Sequence, residues 1–410
     1  MNDEIRKLRM TNVKITILNT NGTPLENQEV IIQQTNHEFL FGTAAFDLVP
    51  LASGAYSGEE KVRAERRAEK VEALFNAVTL PFYWARFERQ KSKPITEKVK
   101  SAARWCNHRN LSTKGHPLCW HTLTPDWLLE MSNTEILEAQ LTRIQRDVAD
   151  FRGLIDMWDV INEAVIMPVF EKYDNGITRI CKEYGRINTI KMMFETARET
   201  NPKATFLIND FDISSAYDIL VEGCLEAGIK FDVIGIQSHM HQGWWGVEKT
   251  LKVLENFERF NIPIHFTEMT LVSGHLMPPE IVDLNDYQVD DWPTTPEGEE
   301  RQVEQTIQHY ETLFAHPLVK SITWWDLFDG GWLNAPAGLI RKNGSRKPAY
   351  DELLKLIKGE WWIKPIKLMT DSNGEIQFSG FLGDYELTYG GTKKTFKIMK
   401  EISTATICMD

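Results

Sequence analysis

MWDVINE, residues 157–163, is an apolar run that ends in an amide and an acid. Trp158, Val160 and Ile161 are side chains suited to a packed interior, whereas Asn162 and Glu163 are polar groups that proteins bury only with partners. A short apolar run of this kind is typical of a buried strand. The stretch therefore predicts a strand that presents polar side chains at its carboxyl end, where it is expected to end or to bulge, because regular pleating would point Asn162 and Glu163 to opposite faces.

Seven further apolar runs accompany this one along the chain. They are HEFLFGTAA (37–45), NAVTL (76–80), LSTKGHPLCWH (111–121), TFLINDF (205–211), FDVIGIQSH (231–239), PIHFTEMT (263–270) and KSITWWDL (320–327). Between them, stretches such as EEKVRAERRAEKVEALF (59–75) and TEILEAQLTRIQRDVADF (134–151) have apolar residues at helical spacing. Eight strands, each followed by a helix, predict an α/β fold, a (β/α)8 TIM barrel over residues 38–358.

Both ends of the chain have a different pattern, in which β-rich runs alternate around turns. Residues 12–36 contain a TNG turn, and residues 361–398 contain Asn-Gly and Gly-Gly turns. Neither end is long enough to enclose a core of its own. Residues 1–37 and 359–410 are therefore predicted to pair into one small β module that braces the barrel.

Composition limits the classes of function. The 410 residues are 42% hydrophobic and 25% charged, which predicts a folded globular chain, and a net charge of −12 without a basic stripe argues against nucleic-acid binding. Five widely spaced cysteines lack a CxxC pair, which argues against a disulfide framework or a zinc knuckle. No apolar run reaches the roughly 20 residues of a membrane span, and the N-terminus lacks a signal-peptide core. We therefore expect a cytoplasmic protein that binds no membrane, with secretion as the alternative if a leader has been removed.

Carboxylates lie at two of the predicted strand ends, Glu163 after the fourth strand and Glu268 after the seventh. Active sites of TIM barrels lie at this end of the strands. Cleavage of a glycosidic bond needs such a pair, since one carboxylic acid protonates the leaving oxygen while a carboxylate attacks or stabilises the anomeric carbon. Several of the 13 tryptophans adjoin polar or glycine residues, where an indole suits a sugar ring. The pair predicts a glycoside hydrolase.

Two alternatives are set against this reading. His239 and His241 have a His-x-His spacing that suits a metal hydrolase, but the helical HExxH pattern is absent from the sequence, as are the phosphate-binding GxGxxG and GxxxxGK[ST] patterns. We therefore expect neither a metal nor another cofactor. A barrel that binds sugar without turning it over is the competing class, and the retained carboxylates argue against it.

Six motifs resemble the successive strand-end motifs of glycoside hydrolase family ten, the retaining endo-β-1,4-xylanases. They are GHPLCWHTLTPDWL (115–128), WDVINEAV (158–165), FLINDFD (206–212), IGIQSHMHQGWW (234–245), IHFTEMTL (264–271) and WWDLFDGGWL (324–333). Their order and spacing match the family over most of the barrel. The resemblance implies a β-linked oligosaccharide or polysaccharide substrate, namely β-1,4-linked xylan or xylo-oligosaccharides. It also implies that the bond is cleaved by double displacement. The alternative function is that of another β-glycosidase, such as a β-glucan hydrolase.

The resemblance also implies roles for individual residues. Glu163 is the general acid/base and Glu268 the nucleophile, so Glu163 should titrate high while Glu268 stays ionised. His239 orients Glu268. The remaining implied substrate contacts are His116, Trp120, Asn162, Gln237, Trp325 and Trp332, with Asn162 on the sugar 2-hydroxyl and the two last tryptophans as apolar floor and wall. Asn209 and Asp210 resemble supporting residues.

One loop departs from the family. Members carry an Asn-x-x-Thr-Pro-Glu-Asn-x-x-Lys pattern after the second strand, and its Glu, Asn and Lys grip sugar units on the non-reducing side of the cleavage point. Residues 76–94 read NAVTLPFYWARFERQKSKP, and the gripping positions are replaced by Pro81, Phe82, Tyr83 and Trp84. We expect these positions to offer aromatic faces for stacking, and Arg86 and Glu88 to restore part of the polar grip. The long loop within residues 271–300 is equally consistent with a lid and with a passive surface loop.

Overall fold

Eight parallel strands close into a barrel in the middle of the chain. They are β3 (Leu40–Ala44), β4 (Ala77–Pro81), β5 (Ser112–His116), β6 (Met157–Asn162), β7 (Thr205–Asp210), β8 (Val233–Ile236), β10 (Ile264–Leu271) and β11 (Val319–Asp326), with the short β9 (His239–Met240) paired beside β10. β11 pairs with both β10 and β3, which closes the ring. The structure, a computed structural model, describes residues 3–401 and 404–409. The predicted TIM barrel is confirmed, because its strands are the eight apolar runs.

Helices surround this barrel. They are α1 (Asp3–Arg9), α2 (Leu48–Ala52), α3 (Gly58–Leu74), α4 (Trp84–Phe87), α5 (Thr96–Asn107), α6 (Asn133–Asp150), α7 (Gly176–Tyr184), α8 (Arg186–Thr200), α9 (Ser215–Glu226), α10 (Gly246–Glu258), α11 (Pro296–Phe314) and α12 (Pro348–Lys355). α6 illustrates why they form: Ser132 and Glu135 make a reciprocal capping box at its start, and Ile136, Ile144 and Val148 are buried on one face. None of the described helices has the length and apolar character needed to cross a bilayer.

The two ends of the chain form two further sheets. β1 (Met10–Asn19) lies between β13 (Glu375–Phe381) and β16 (Thr404–Met409), and β2 (Glu29–His37) lies between β12 (Ile366–Met369) and β14 (Gly383–Tyr389), with β15 (Thr392–Ile398) at the edge. Their inward residues, Ile15, Ile32 and Tyr385 among them, enclose a small core separate from that of the barrel. The predicted pairing of the two chain ends is therefore observed.

Arg9 fastens these terminal sheets to the barrel. Its guanidinium donates to the backbone carbonyls of Phe314, His316 and Val319 at 2.7–2.8 Å, and burial lowers its pKa to about 10. Val319 begins β11, so the attachment lies at the N-terminal face of the barrel. The opposite face, where the strands end, is left open for chemistry.

Candidate active site

The end of β6 has the irregularity that the sequence predicts. The register between β6 and β7 shifts between Asp159 and Ile161, the strand ends at Asn162, and Glu163 has a left-handed backbone with φ of +58°. A non-glycine residue in this region costs roughly 1 kcal/mol or more, so the surrounding structure must hold it there. As a result, Asn162 and Glu163 lie on the same side, and Asn162 Nδ2 donates to Glu163 Oε1 at 3.1 Å.

Three amides connect the two acids. Asn162 Oδ1 accepts hydrogen bonds from Asn209 Nδ2 at 2.7 Å and from Gln237 Nε2 at 3.1 Å. Asn209 Nδ2 also donates to Glu268 Oε1 at 2.9 Å, and Gln237 Nε2 donates to Glu163 Oε1 at 3.3 Å. The barrel has thus brought together two carboxyl groups that are 105 residues apart in sequence, and it fixes both through one buried network.

Glu268 is held in its charged form. Burial alone would favour the neutral acid, but electrostatic interaction with His116 and a 3.1 Å hydrogen bond from His239 Nε2 keep the pKa of Glu268 below its usual range, with a further contribution from Lys114. His116 is fixed in turn by Asp159 Oδ2, 2.7 Å from its Nδ1. An ionised, oriented carboxylate is what a nucleophile requires.

Glu163 is held in its protonated form. Burial raises the pKa of Glu163 to about 8, and the negative charges of Asp210 and Glu268 add to that rise, while Trp120 and Gln237 offset part of it. Asp210 also accepts a hydrogen bond from the backbone N–H of Val165 at 2.9 Å, which fixes the chain just beyond Glu163. The two acids therefore have opposite pKa shifts, as the sequence predicted, and this split is typical of an acid and a nucleophile.

Tryptophans form the walls around the acids. Trp325 lies edge-on to His116 and His239, with ring centroids 5.2 and 6.2 Å away, and Trp332 lies 4.7 Å from the His239 ring. The indole N–H of Trp120 is buried and lies close enough to Glu163 to lower the pKa of that acid. A buried donor in this position can bond the Glu163 carboxylate or a sugar oxygen.

Glu88 does not have the sugar-binding environment that the sequence predicted for it. Its carboxylate accepts from Trp84 Nε1 at 3.1 Å and from the backbone N–H of Ser92 at 2.8 Å, and it pairs with Arg146 at 2.8 Å. Because these partners occupy both oxygens and the residue is buried, Glu88 holds the loop and does not contact the sugar. Arg86 is exposed, and its guanidinium carbon lies 5.9 Å from the Tyr83 ring, so its contact with substrate stays a prediction.

The aromatic residues of the same loop also differ from the prediction. Phe82 and Trp84 are buried in the core, where they do not offer stacking faces. Tyr83 alone of these three turns to the acids: its ring lies 5.6 Å from His116 and 5.7 Å from Trp120. Burial and the charge of Glu268 raise the pKa of Tyr83 well above its ordinary value. Of the aromatic faces predicted for this loop, that of Tyr83 lies beside the site, and its stacking on a sugar stays a prediction.

The His-x-His pair serves two different partners. His239 is bonded to Glu268, whereas His241 Nδ1 lies 3.3 Å from Thr270 Oγ1. Burial lowers the pKa of His241 to about 3, so this imidazole is neutral. The pair thus supports the nucleophile and the core and does not form one ligand set.

Known proteins resemble this chain in sequence and in fold. The chain is similar to the anti-sigma-I factor RsgI6 of Acetivibrio thermocellus, with 25% identity over 94% of this chain and 46% of that protein, and to endo-1,4-beta-xylanase B of Thermotoga neapolitana, with 28% identity over 50% of this chain and 61% of that one. It therefore spans about half the length of these relatives. Xylanase 10B of Thermotoga petrophila RKU-1, solved in complex with xylobiose, has the same fold, with a TM-score of 0.62, 23% identity and coverage of 78% of this chain and 95% of that one. Residues 46–356 match glycosyl hydrolase family 10, and the chain belongs to that family.

Proposed function

We propose that the chain is a retaining β-glycoside hydrolase, similar to endo-1,4-β-xylanases, that cleaves β-1,4-linked xylan or xylo-oligosaccharides. The observation that carries the proposal is the pair Glu163 and Glu268, which share one amide network and have opposite pKa shifts. The xylanases among the relatives supply the substrate class.

The geometry supports a double displacement. Protonated Glu163 donates its proton to the leaving oxygen while ionised Glu268 attacks the anomeric carbon and forms a glycosyl-enzyme. Bonding to the sugar removes the charge of Glu268, and because that charge raises the pKa of Glu163, the acid then ionises more readily. In its ionised form Glu163 takes a proton from the water that releases the sugar with retained configuration.

Two variants test this mechanism on an aryl β-xylobioside. Glu268→Gln should remove turnover, whereas Glu163→Gln should lower it by about 10²–10⁴-fold and least for leaving groups that need no protonation. Azide should rescue Glu163→Gln and yield a β-glycosyl azide, seen by NMR. The matched control is Glu171→Gln, an exposed acid of the following loop. Full activity of Glu268→Gln would contradict the proposal, and parallel assays on gluco-oligosaccharides test the β-glucan alternative.

The relative RsgI6 supports a second candidate function, namely sugar sensing. It matches 94% of this chain and is named an anti-sigma factor. In that case the barrel would bind β-linked oligosaccharides without turning them over. Calorimetry with xylo-oligosaccharides, run beside a reducing-end assay over long incubation, separates the two functions, because a sensor binds and releases no new ends.

We also propose that residues 38–358 act as the catalytic unit, and that residues 1–37 and 359–410 brace it. The contacts of Arg9 with the N-terminal face support this division. Arg9→Met should lower the melting temperature and leave KM unchanged. The free thiols of all five cysteines favour the reducing cytoplasm, which cell fractionation tests.

A further inference from the structure

Two loops at the mouth of the barrel meet above the two acids. One loop follows Glu163 and leads to α7, and the other follows β10, which carries Glu268. Lys172 of the first loop lies 2.7 Å from Asp283 Oδ2 and 2.6 Å from Asp286 Oδ1 of the second. β7 and β8 lie between β6 and β10 in the barrel, so these ion pairs connect two loops that are not neighbours at its mouth.

Each loop is also linked by contacts to its own catalytic acid. On the first side, the Phe170 ring lies 4.4 Å from the ring of His121, whose Nε2 is 4.0 Å from Glu163 Oε2. Lys172 follows Phe170 by two residues. A path of contacts therefore leads from the acid/base to the lysine.

On the second side, Asn285 lies between the two aspartates, and its Oδ1 accepts a 3.1 Å hydrogen bond from Trp332 Nε1. Trp332 packs on His239, which is bonded to Glu268. The amides of Asn162, Asn209 and Gln237 join the two acids and so connect these two paths. The result is a closed ring of contacts that includes both carboxyl groups.

The weakest link of this ring is the ion pair. The second loop is well folded on a small core in which Trp292 and Met277 are buried, and Asp283 fixes its turn by accepting from the Asn285 backbone N–H at 2.9 Å. By contrast, the side chains of Lys172, Asp283 and Asp286 are 44%, 37% and 60% exposed. Exposed pairs are weak and are screened by salt, so the ring opens at this point first.

We propose that Lys172, Asp283 and Asp286 form a charge bridge that closes the cleft into a ring and selects how a β-linked chain enters. With the bridge closed, a chain enters by its end, so short oligosaccharides and chain ends are the accessible substrates. With the bridge open, the interior of a long or branched polymer enters from the side. This inference rests on the proposed function and names the substrate form that the site accepts.

The test compares a polymer with a small substrate. Lys172→Met keeps the aliphatic part of the side chain and removes the charge. It should raise the ratio of kcat/KM on soluble arabinoxylan to kcat/KM on an aryl β-xylobioside by about threefold. A change of this size lies within the free energy that an exposed ion pair contributes. Sodium chloride at high concentration should raise the same ratio in the wild-type protein and leave it unchanged in Lys172→Met. Lys172→Arg should behave as the wild type.

Lys182→Met is the matched control, because Lys182 forms an exposed pair with Glu171 on its own side of the opening and bridges no loops. Hydrogen exchange of residues 276–291 gives a readout that needs no turnover, and Lys172→Met should accelerate it. The proposal of a charge bridge would be overturned if Lys172→Met left the ratio of kcat/KM values or the hydrogen exchange unchanged. An equal change in Lys182→Met would overturn it as well. Absence of hydrolysis by every variant and by the wild type would instead overturn the proposed function, while the exchange data still decide on the bridge.

Discussion

The pH dependence of turnover gives the sharpest test of the acid pair. Only the protonated form of Glu163 can act as the acid, and burial raises its pKa to about 8. A carboxyl group with an ordinary pKa near 4.5 would be about 0.3% protonated at pH 7, whereas one with a pKa of about 8 is roughly 90% protonated, which is a gain of about 300-fold in the active form. We therefore expect kcat/KM on an aryl β-xylobioside to fall on the alkaline side with a midpoint near pH 8.

The acidic side of the same profile reports Glu268. His116 and His239 keep the pKa of Glu268 below its usual range, so activity should fall only when the pH drops below the ordinary range of a glutamate. Because the two groups interact, the two midpoints belong to the pair.

Asp210→Asn is the perturbation that tests the cause. The charge of Asp210 raises the pKa of Glu163, so its removal should move the alkaline midpoint to lower pH. The asparagine oxygen can still accept the backbone N–H of Val165, whereas the N–H of Asp212, 3.0 Å from Asp210 Oδ1, loses its acceptor. The assay is the kcat/KM profile from pH 4 to 10 for both proteins. An alkaline midpoint at pH 6 or below in the wild type, or one that Asp210→Asn leaves in place or moves upward, would refute this account of the acid.

Three further predictions concern stability and the loop supports. Glu163→Gln should raise the melting temperature more at pH 9 than at pH 5. The reason is that a buried acid with a raised pKa stabilises the fold only while it is protonated, and this contribution is lost as the pH rises towards about 8. An equal shift of the melting temperature at both pH values would speak against the raised pKa. Glu88→Ala should lower the free energy of unfolding in urea by about 2–4 kcal/mol, since the Trp84 N–H and the Arg146 guanidinium lose a buried acceptor, and a loss of sugar affinity without a loss of stability would return Glu88 to the binding site. Gly331→Ala should lower kcat/KM, because a Cβ there would lie 2.4 Å from Asp326 Oδ1, whose carboxylate holds the Trp332 backbone; unaltered turnover would show that the tryptophan wall does not depend on this contact.

The site itself shows how far sequence reasoning reaches. The meeting of Glu163 and Glu268 was predictable because each follows an apolar run, and barrel closure brings the carboxyl ends of such runs to one face. In the structure Glu163 lies just beyond β6, whereas β10 continues past Glu268 to Leu271. The break in β6 was predictable from two polar residues in succession. The role expected for Glu88 was wrong, because its partner Arg146 lies 58 residues away on α6, and no local pattern indicates that pair.

The amino-acid sequence by itself determined the barrel, the pairing of the chain ends and the placement of Glu163 and Glu268 on one face, since each depends on a local alternation of apolar and polar residues or on where an apolar run meets polar residues. Only the tertiary structure decided which way the loop side chains point. Phe82 and Trp84 turn into the core while Tyr83 between them lies beside His116, and Lys172 of one loop meets Asp283 of another. Loop backbones have no fixed period, so the direction of each side chain depends on neighbours that folding brings from distant parts of the chain.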